Sequence, residues 1–282
     1  MARESAARNQ QAAPRPPQAR PFLKWAGGKG QLLAQLRPLL PAAYRRYFEP
    51  FAGGAALFFA LAPKRAVLAD VNAELVDCYK AARDDVDGVI AALGEHRYEA
   101  EHYYRVRAVD PASLAPADRA ARTIYLNRTG YNGLYRVNRA GKFNVPMGRY
   151  TNPLLCDADN LRACSKALAG VVVRRADFEQ AVEGARAGDF VYFDPPYVPV
   201  SDTADFTSYV PGGFGADQQR RLADLFAALA RRGVHAVLSN SDTPSVRDLY
   251  RGFRIHRVLA SRHINSRGTR RGKVGEVVVT TF

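Results

Sequence analysis

The residues whose chemistry stands out are Asp194, Pro195, Pro196 and Tyr197, which follow the run Phe190–Phe193. That run is short, aromatic and β-branched, a pattern typical of a buried strand. Because proline has no backbone N–H, the loop after the strand offers a carboxylate and carbonyl oxygens as acceptors and few donors. Such a pocket, with an aromatic wall, suits a planar group that carries an NH2, as a nucleobase does. Ordinary turn chemistry at the end of a strand is the alternative.

An exocyclic amine of this kind is a poor nucleophile, because its lone pair is delocalised into the ring. If the Asp194 carboxylate and a neighbouring carbonyl accept both amine hydrogens, the nitrogen moves towards tetrahedral geometry and its lone pair becomes available for attack. Tyr197 can stack on the base and face a cationic methyl donor. The four residues therefore predict methyl transfer to a base amine.

Length and charge favour one large domain, with or without an inserted module, that binds a polyanion. The chain has 282 residues, 47% of them hydrophobic, which is ample for a core. Its net charge of +14 points to nucleic acid first, although a basic proteome with solvated arginines would give the same balance. The apolar runs are too short to span a bilayer. Three cysteines without a CxxC pair and five dispersed histidines predict no disulfide, no metal site and a cytoplasmic location.

The N-terminal region has two parts of different character. Residues 1–20 are rich in Ala, Gln, Arg and Pro without periodicity, which predicts a disordered basic arm, with an organelle transit peptide as the alternative. In residues 22–30, glycines flank the single tryptophan, Trp25, so a ligand can approach the backbone beside an aromatic face. The spacing of a P-loop is absent. A plain glycine turn before a predicted helix at 31–40 is the alternative.

A second glycine-rich stretch predicts a nucleoside site. Residues 47–55 read as a strand and a glycine turn that leads into a helix at 56–61, and the next strand, 66–69, ends in Asp70. A carboxylate in this position, about 20 residues after a glycine turn, typically holds a ribose. The GxGxxG fingerprint and an arginine for an extra phosphate are missing. The pattern therefore favours an adenosyl ligand without pyrophosphate, such as S-adenosylmethionine. Asn72 is a candidate cap of the following helix.

Residues 80–165 differ in composition, with helical segments between polar, glycine-containing loops. The loops 127–139 and 143–150 combine arginines, amides and aromatic side chains, which suits base reading and stacking. An ordinary solvated loop with turn residues is the alternative. The basic segment 261–273 is a candidate phosphate-contacting loop, although a surface connection between two strands would look the same.

Alternation of strands and helices predicts a mostly parallel, doubly wound α/β sheet. Further strands are expected at 171–173, 234–238, 253–259 and 276–281, with a helix at 217–230. In such sheets a ligand lies beyond the carboxyl ends of the strands. Asp70, Asp177 and Asp194 each follow a predicted strand, so one crevice is expected to gather all three. Helix capping explains any one of them but explains the set less well.

In this order, the motifs resemble those of the Dam-like DNA adenine N6-methyltransferases, from about residue 22 to the C-terminus. Residues 22–29 are similar to the N-terminal cofactor motif of that family, residues 49–54 to its glycine-rich motif, and 194–197 to its catalytic tetrad. The resemblance implies a Rossmann-like methyltransferase sheet with an inserted, mainly helical target-recognition domain. The expected boundaries are 21–80 with 166–282 for the S-adenosylmethionine-binding domain, and 81–165 for the recognition domain.

The resemblance also implies three sets of site residues. The catalytic set that would hold the target adenine is Asp194, Pro195, Pro196 and Tyr197. The S-adenosylmethionine pocket would be lined by Trp25, Ala26, Gly27, Lys29, Glu49, Phe51, Gly53, Asp70, Asp177, Phe178 and Asp194. Contacts to DNA would come from Lys24, Arg128, Tyr131, Asn132, Leu134, Arg136, Pro146, Arg149 and Tyr150.

The sequence is thus interpreted as a nucleoid-associated enzyme that methylates adenine N6 in double-stranded DNA, at GATC by the resemblance, after flipping the base. No membrane and no obligate protein partner are expected, and a cognate restriction enzyme in the same cell stays open. A related enzyme acting on cytosine N4, RNA or a protein glutamine is the nearest rival. Asp194 argues against the first and the last, where the resemblance would predict Ser or Asn. A non-catalytic DNA-binding protein is another rival, and a nicotinamide-dependent dehydrogenase lacks its glycine fingerprint.

Overall fold

One mixed sheet forms the centre of the molecule. The computed structural model describes residues 18–198, 214–261 and 273–282. The strands of the sheet are β1 (Tyr47–Glu49), β2 (Ala66–Asp70), β3 (Val172–Arg175), β4 (Phe190–Phe193), β5 (His235–Ser241), β6 (Arg254–Ser261) and β7 (Lys273–Thr280). In the described part of the chain these seven strands have the order β3-β2-β1-β4-β5-β7-β6. Strands β1 to β5 pair in parallel, and β7 is antiparallel to both β5 and β6. The predicted mostly parallel, doubly wound sheet is confirmed.

The sheet is buried on both faces, which explains the continuous apolar run of β4. Side chains alternate along a strand, so Phe190 and Tyr192 enter one core cluster whereas Val191 and Phe193 enter the other. All four residues are buried. A parallel strand covered on both sides needs apolar residues at every position rather than at alternate ones.

Helices supply the two layers that cover the sheet. The helices are α1 (Leu33–Leu36), α2 (Ala56–Leu61), α3 (Ala73–Asp84), α4 (Val86–Gly94), α5 (Ala100–Ala108), α6 (Pro116–Thr129), α7 (Ala158–Leu168), α8 (Phe178–Val182), α9 (Ala216–Arg231) and α10 (Pro244–Leu249). Helices α1 to α7 contribute buried side chains to the cluster that contains Phe190, and α8 to α10 contribute to the cluster that contains Val191. Among these helices none is both long enough and apolar enough to cross a membrane.

The segment between β2 and β3 forms a helical layer with an irregular loop region. Helices α3 to α7 share one hydrophobic cluster with the sheet, so the predicted insertion packs directly on the catalytic core. After α6, residues 130–150 form a loop that is closed by two isolated antiparallel bridges, Gly130 with Met147 and Val137 with Phe143. The boundaries 81 and 165 of the recognition domain stay a prediction.

Two local expectations are corrected by the structure. The predicted helix at 31–40 is broken into a 3-10 turn (Lys29–Gln31), α1 and a second 3-10 turn (Arg37–Leu39), because Pro38 has no N–H and its ring opposes a continuous helix. The end of the predicted arm is packed: Arg20 exchanges two backbone hydrogen bonds with the Asn160 side chain, both of 3.0 Å. Residues 1–17 of the arm and residues 262–272 of the predicted phosphate-contacting loop lie outside the described residues.

Candidate active site

Acidic side chains collect at the carboxyl edge of four adjacent strands. Glu49 ends β1, Asp70 ends β2, Asp177 follows β3 by two residues, and Asp194 follows β4 directly. The strand order β3-β2-β1-β4 makes these strands neighbours, and all of them are parallel. The predicted position of Asp70, Asp177 and Asp194 at one edge of the sheet is therefore confirmed, and this edge is where open α/β sheets bind ligands. That one crevice gathers all three stays a prediction.

A buried ammonium group lies at the centre of the tetrad. Lys29 Nζ is 2.8 Å from Asp194 Oδ1 and 4.5 Å from the centre of the Tyr197 ring. It also donates a hydrogen bond of 2.7 Å to the carbonyl of Gly27. Only 5% of the Lys29 side chain is exposed. The tetrad thus forms a pocket that accepts hydrogen bonds from a nitrogen and presents an aromatic face to a positive charge.

The protonation of Asp194 follows from three neighbours. Burial raises its pKa to about 6, the ammonium of Lys29 opposes this rise, and the charge of Glu276 adds to it. Asp194 is therefore mainly ionised at neutral pH, although it is buried. An ionised carboxylate is an acceptor only, which is the state that binding a donor NH2 requires.

A set of polar side chains from α9, β5 and β7 holds the tetrad loop in place. The Tyr197 hydroxyl donates to Glu276 Oε2 at 2.7 Å. Gln219 donates to the carbonyl of Pro196 at 3.1 Å, and Asn240 accepts from the backbone N–H of Val198 at 3.3 Å. Sequence reasoning missed these supports. The polar end of the buried strand β5 was a usable signal for Asn240, whereas Glu276 is 79 residues from Tyr197 and carries no local signal.

The glycine turn after β1 forms the second part of the crevice. The Asp70 carboxylate accepts from the N–H groups of Gly53 at 3.1 Å and Asn72 at 2.9 Å, and burial raises the pKa of Asp70. Gly53 has φ +46°, and a Cβ there would lie 2.8 Å from Trp25 Cδ1. Only glycine therefore fits between the turn and the indole. The Asn72 side chain caps α3 by accepting from Leu75 N, as predicted.

Phe51 and Phe178, two members of the predicted cofactor set, belong to the hydrophobic cluster on the other face of the sheet. Phe51 and Phe178 stack with ring centres 5.5 Å apart, and Phe178 is buried in the core. The Asp177 carboxylate accepts from Glu179 N at 3.0 Å in a capping box at the start of α8. Asp177 therefore has a structural partner as well as a position at the carboxyl edge.

Ala26 and Gly27 lie on an exposed turn closed by the bond from Gly28 N to the Trp25 carbonyl at 3.1 Å.

Glu49 lies below the pocket rather than on its surface. Its side chain is 3% exposed and accepts from the Tyr47 hydroxyl at 2.8 Å. Burial raises the pKa of Glu49 to about 8, and the charge of Asp194 adds to the rise. Glu49 is thus mainly a neutral acid at pH 7. The structure gives Glu49 a contact with Tyr47, and the direct cofactor contact that the resemblance implied stays a prediction.

The predicted DNA contacts divide into an exposed or half-buried set and one residue whose side chain points inwards. Exposed are Lys24, Tyr131, Asn132, Arg136, Pro146 and Arg149, while Leu134 and Tyr150 are half-buried. An open concavity of about 360 Å³ is lined by Tyr131, Asn132, Met147, Gly148, Arg149 and Tyr150. Lys24 Nζ lies 5.0 Å from the centre of the Tyr150 ring, which joins the N-terminal motif to this surface.

Arg128 is the exception, because its guanidinium points into the fold. It donates to the carbonyl of Phe22 at 3.2 Å, and its Nε is buried with no partner among the described residues. Burial lowers the pKa of Arg128. The structure gives this residue a role in fastening the segment before Trp25, and a direct contact with DNA stays a prediction.

A mostly parallel sheet with a glycine turn and several carboxylates at its carboxyl edge is typical of Rossmann-like α/β enzymes, which bind nucleoside-type ligands at that edge. A family model of the D12 class N6 adenine-specific DNA methyltransferases matches residues 25–264. The type II methyltransferase M1.LlaDCHI of Lactococcus lactis subsp. cremoris is 44% identical over 93% of this chain and 95% of its own length. The type II methyltransferase M.MjaIII of Methanocaldococcus jannaschii is 43% identical over 90% and 96%. The DNA adenine methylase of Escherichia coli is 37% identical over 92% and 94%.

The chain belongs to the D12 class of N6 adenine-specific DNA methyltransferases and is an enzyme of that activity. The predicted family and its adenine-specific chemistry are thereby confirmed, while the catalytic roles of Asp194, Pro195, Pro196 and Tyr197 stay predictions. The rival interpretations as a cytosine N4 enzyme, a protein glutamine enzyme or a dehydrogenase do not agree with this membership.

Proposed function

We propose that the enzyme transfers a methyl group from S-adenosylmethionine to N6 of the adenine in GATC of double-stranded DNA, after the adenine has left the duplex. The observation that carries the proposal is the tetrad pocket at the carboxyl edge of the sheet. There, the Asp194 carboxylate and the Tyr197 ring face the same nitrogen, that of Lys29. Like the Lys29 ammonium, an adenine amine needs an acceptor for its hydrogens, and the adenine ring can lie against the aromatic surface of Tyr197.

The crevice beside the tetrad fits an adenosyl group. Asp70 offers carboxylate oxygens at the end of β2, where a ribose is usually bound. Gly53 lets the Trp25 indole lie directly against the turn, since a Cβ there would be 2.8 Å from Trp25 Cδ1. Trp25, Gly53 and Asp70 would therefore hold the S-adenosylmethionine. When bound, this cofactor supplies an electrophilic methyl group on a positively charged sulfur.

The protein's contribution to methyl transfer is positioning and electrostatics. Asp194 accepts a hydrogen from the adenine amine, and the carbonyl of Pro195 is the candidate acceptor for the other. Tyr197 fixes the plane of the base, because its own ring is held by the bond to Glu276. The negative charge of Asp194 also favours the positive charge that develops on N6. Lys29 keeps Asp194 ionised before the base enters.

The exposed surface around the loop 130–150 suits a DNA duplex. Arg136 and Lys24 are exposed, and the resemblance places both on guanines of the GATC site. Arg136 is held in a defined orientation, since its Nε donates to Asn144 Oδ1 at 2.7 Å. Tyr131 is 52% exposed and is placed to enter the base stack as the adenine leaves. Flipping costs a few kcal/mol of unpairing, which contacts of this kind offset.

Base-resolution mapping of methylated DNA tests the proposal. The purified enzyme is incubated with S-adenosylmethionine and plasmid DNA, and methylated adenines are mapped. Methylation confined to GATC supports the target, while another methylated motif contradicts the target and leaves the adenine chemistry standing. Asp194→Ala is the control for catalysis, since we expect its methylation rate to fall by orders of magnitude with the fold retained.

A fluorescent base tests flipping. A 2-aminopurine at the target position becomes brighter on binding if the base flips, and unchanged fluorescence would contradict flipping.

A further inference from the structure

The segment that contacts the cofactor crevice and the loop that carries the predicted base readers are fastened to each other. Trp25 and Tyr135 stack with ring centres 5.3 Å apart and planes 27° apart. Trp25 belongs to the crevice, because its indole borders Gly53. Tyr135 belongs to the loop, between Leu134 and Arg136. One aromatic contact therefore spans the two ligand sites.

A buried amide strengthens the same junction. Asn127 accepts from Lys24 N at 2.8 Å and donates both to the carbonyl of Lys24 at 2.8 Å and to that of Gly133 at 3.0 Å. Only 1% of the Asn127 side chain is exposed. Gly133 has φ +63°, and a Cβ there would lie 2.5 Å from Lys24 Cδ. The two backbone segments are thus in contact and share the hydrogen-bonding groups of one side chain.

A second contact holds the hydroxyl of Tyr135 against helix α3. The hydroxyl donates to Glu74 Oε1 at 3.0 Å, and Glu74 lies in the first turn of α3, directly after the Asp70 turn. Glu74 in turn accepts from Arg122 and Thr123 of α6. The face of the Tyr135 ring is therefore held by Trp25 and its hydroxyl by Glu74, and both partners lie beside the predicted cofactor crevice. A displacement of Trp25 has to move the loop or break the stack.

We propose that Tyr135 is a positioning residue that couples cofactor binding to base reading, through its stack on Trp25 and its place between Leu134 and Arg136. This inference rests on the proposed function. Cofactor that fixes Trp25 fixes the loop in the position that reads the target, so the second ligand meets a loop that is already ordered. By linkage, target DNA increases the affinity for cofactor by the same factor.

The coupling is measured as a ratio of two affinities. S-Adenosylhomocysteine, which cannot react, is titrated calorimetrically into the full chain, alone and with a saturating GATC duplex. For the wild type we expect the duplex to tighten binding by a factor in the usual range of about 5 to 150. For Tyr135→Ala we expect this factor to fall to about 1–2, and for Tyr135→Phe, which keeps the stack, we expect it to stay within about twofold of wild type. A purely structural residue would change both affinities and leave their ratio unchanged.

Two further variants keep the inference open to refutation. Tyr135→Leu has similar bulk without an aromatic face, and it replaces the Ala variant if that one folds poorly. Tyr104→Ala removes a half-exposed tyrosine of α5 and is the matched control, for which we expect the wild-type ratio. A wild-type ratio of 1, or an undiminished ratio in both Tyr135→Ala and Tyr135→Leu, would overturn the coupling while the methyltransferase function stands. If the wild type bound neither S-adenosylhomocysteine nor the duplex, the proposed function itself would fail.

Discussion

The burial of the Glu49 carboxyl predicts how the unfolding free energy of the protein depends on pH. The carboxyl is buried under the tetrad and bonded to the Tyr47 hydroxyl. Burial raises its pKa from 4.5 to about 8. The folded state therefore holds a proton that the unfolded state releases, and stability falls as the pH rises between these two values. Glu49→Gln keeps the shape but cannot ionise, so the variant should lack this loss.

The size of the effect follows from the two pKa values. A tenfold difference in the acid dissociation constant between the folded and unfolded states corresponds to about 1.4 kcal/mol. With a pKa of 4.5 in the unfolded state and about 8 in the folded state, linkage predicts that the destabilisation by Glu49 grows by about 3 kcal/mol from pH 5.5 to pH 8.5. Relative to wild type, Glu49→Gln should therefore gain about 3 kcal/mol of unfolding free energy between these two pH values. In the variant, the Tyr47 hydroxyl can rotate to accept from the amide.

Urea unfolding at pH 5.5, 7.0 and 8.5 measures the difference between the two proteins. Contributions from groups that do not interact with Glu49 cancel in the difference, because both proteins share them, whereas Asp194 is coupled to Glu49 and adds to the difference. Glu101→Gln, on the exposed face of α5, is the matched control for the chemical change, since 84% of its side chain is exposed. Parallel stability profiles of wild type and Glu49→Gln would refute the reasoning, because they would mean that Glu49 is ionised equally easily in both states.

Four further outcomes are expected. Because Asp194 must be ionised to accept, kcat/KM should be level above about pH 7 and fall tenfold per unit below its pKa of about 6, and a level profile down to pH 5 would contradict this role. Asp70→Ala should weaken S-adenosylhomocysteine binding in calorimetry far more than duplex binding in a gel-shift assay, and equal losses would count against a ribose contact. Glu276→Ala should lower kcat by about tenfold through loss of the Tyr197 bond, with Glu276→Gln restoring most of it, whereas wild-type kcat in the Ala variant would exclude positioning. Arg136→Ala should relax selectivity at one guanine by about 1–3 kcal/mol in the methylation map, and an unchanged map would show that Arg136 reads no base.

The framework of the fold was predictable because its signals are local. Strand β4 is a run of apolar residues, and each of the strands β1 to β4 ends in or near an acid at the carboxyl edge. Helix α2 and strand β2 have the predicted extents, to within one residue. Periodicity and turn residues carry this information, since they depend on neighbours along the chain. The prediction of one continuous helix at 31–40 was wrong for an equally local reason. Pro38 ends α1 at Leu36, and hydrophobic periodicity does not take a proline into account.

What was not predictable depends on contacts between distant parts of the chain. Strand β7 inserts between β5 and β6, which pairs Ser241 with Glu276 and brings that carboxylate to Tyr197. The turn of Arg128 towards the Phe22 carbonyl spans 106 residues. The predicted loop 127–139 begins too early, because Arg128 lies in the last turn of α6. An arginine there looks the same in sequence whether it points outwards or inwards. The residue types of Glu276 and Arg128 therefore indicated which chemistry their side chains offer. Tertiary packing decided where those side chains point and what they contact.

The balance of charge in the tetrad explains how Asp194 can be buried and still act as an ion. Glu49 lies below the pocket, and the charge of Asp194 opposes the ionisation of its carboxyl. Burial leaves Glu49 protonated near pH 7, so it adds little negative charge there. The ammonium of Lys29, 2.8 Å from Asp194, then has the charges of Asp194 and Glu276 to compensate but not that of Glu49. Because a buried unpaired carboxylate would take up a proton instead, the ion pair is what keeps the acceptor ready. The incoming amine of a base is neutral, so it donates a hydrogen bond to Asp194 without compensating the charge of the carboxylate. Lys29 therefore has to stay beside Asp194 for the carboxylate to remain ionised while the base is bound.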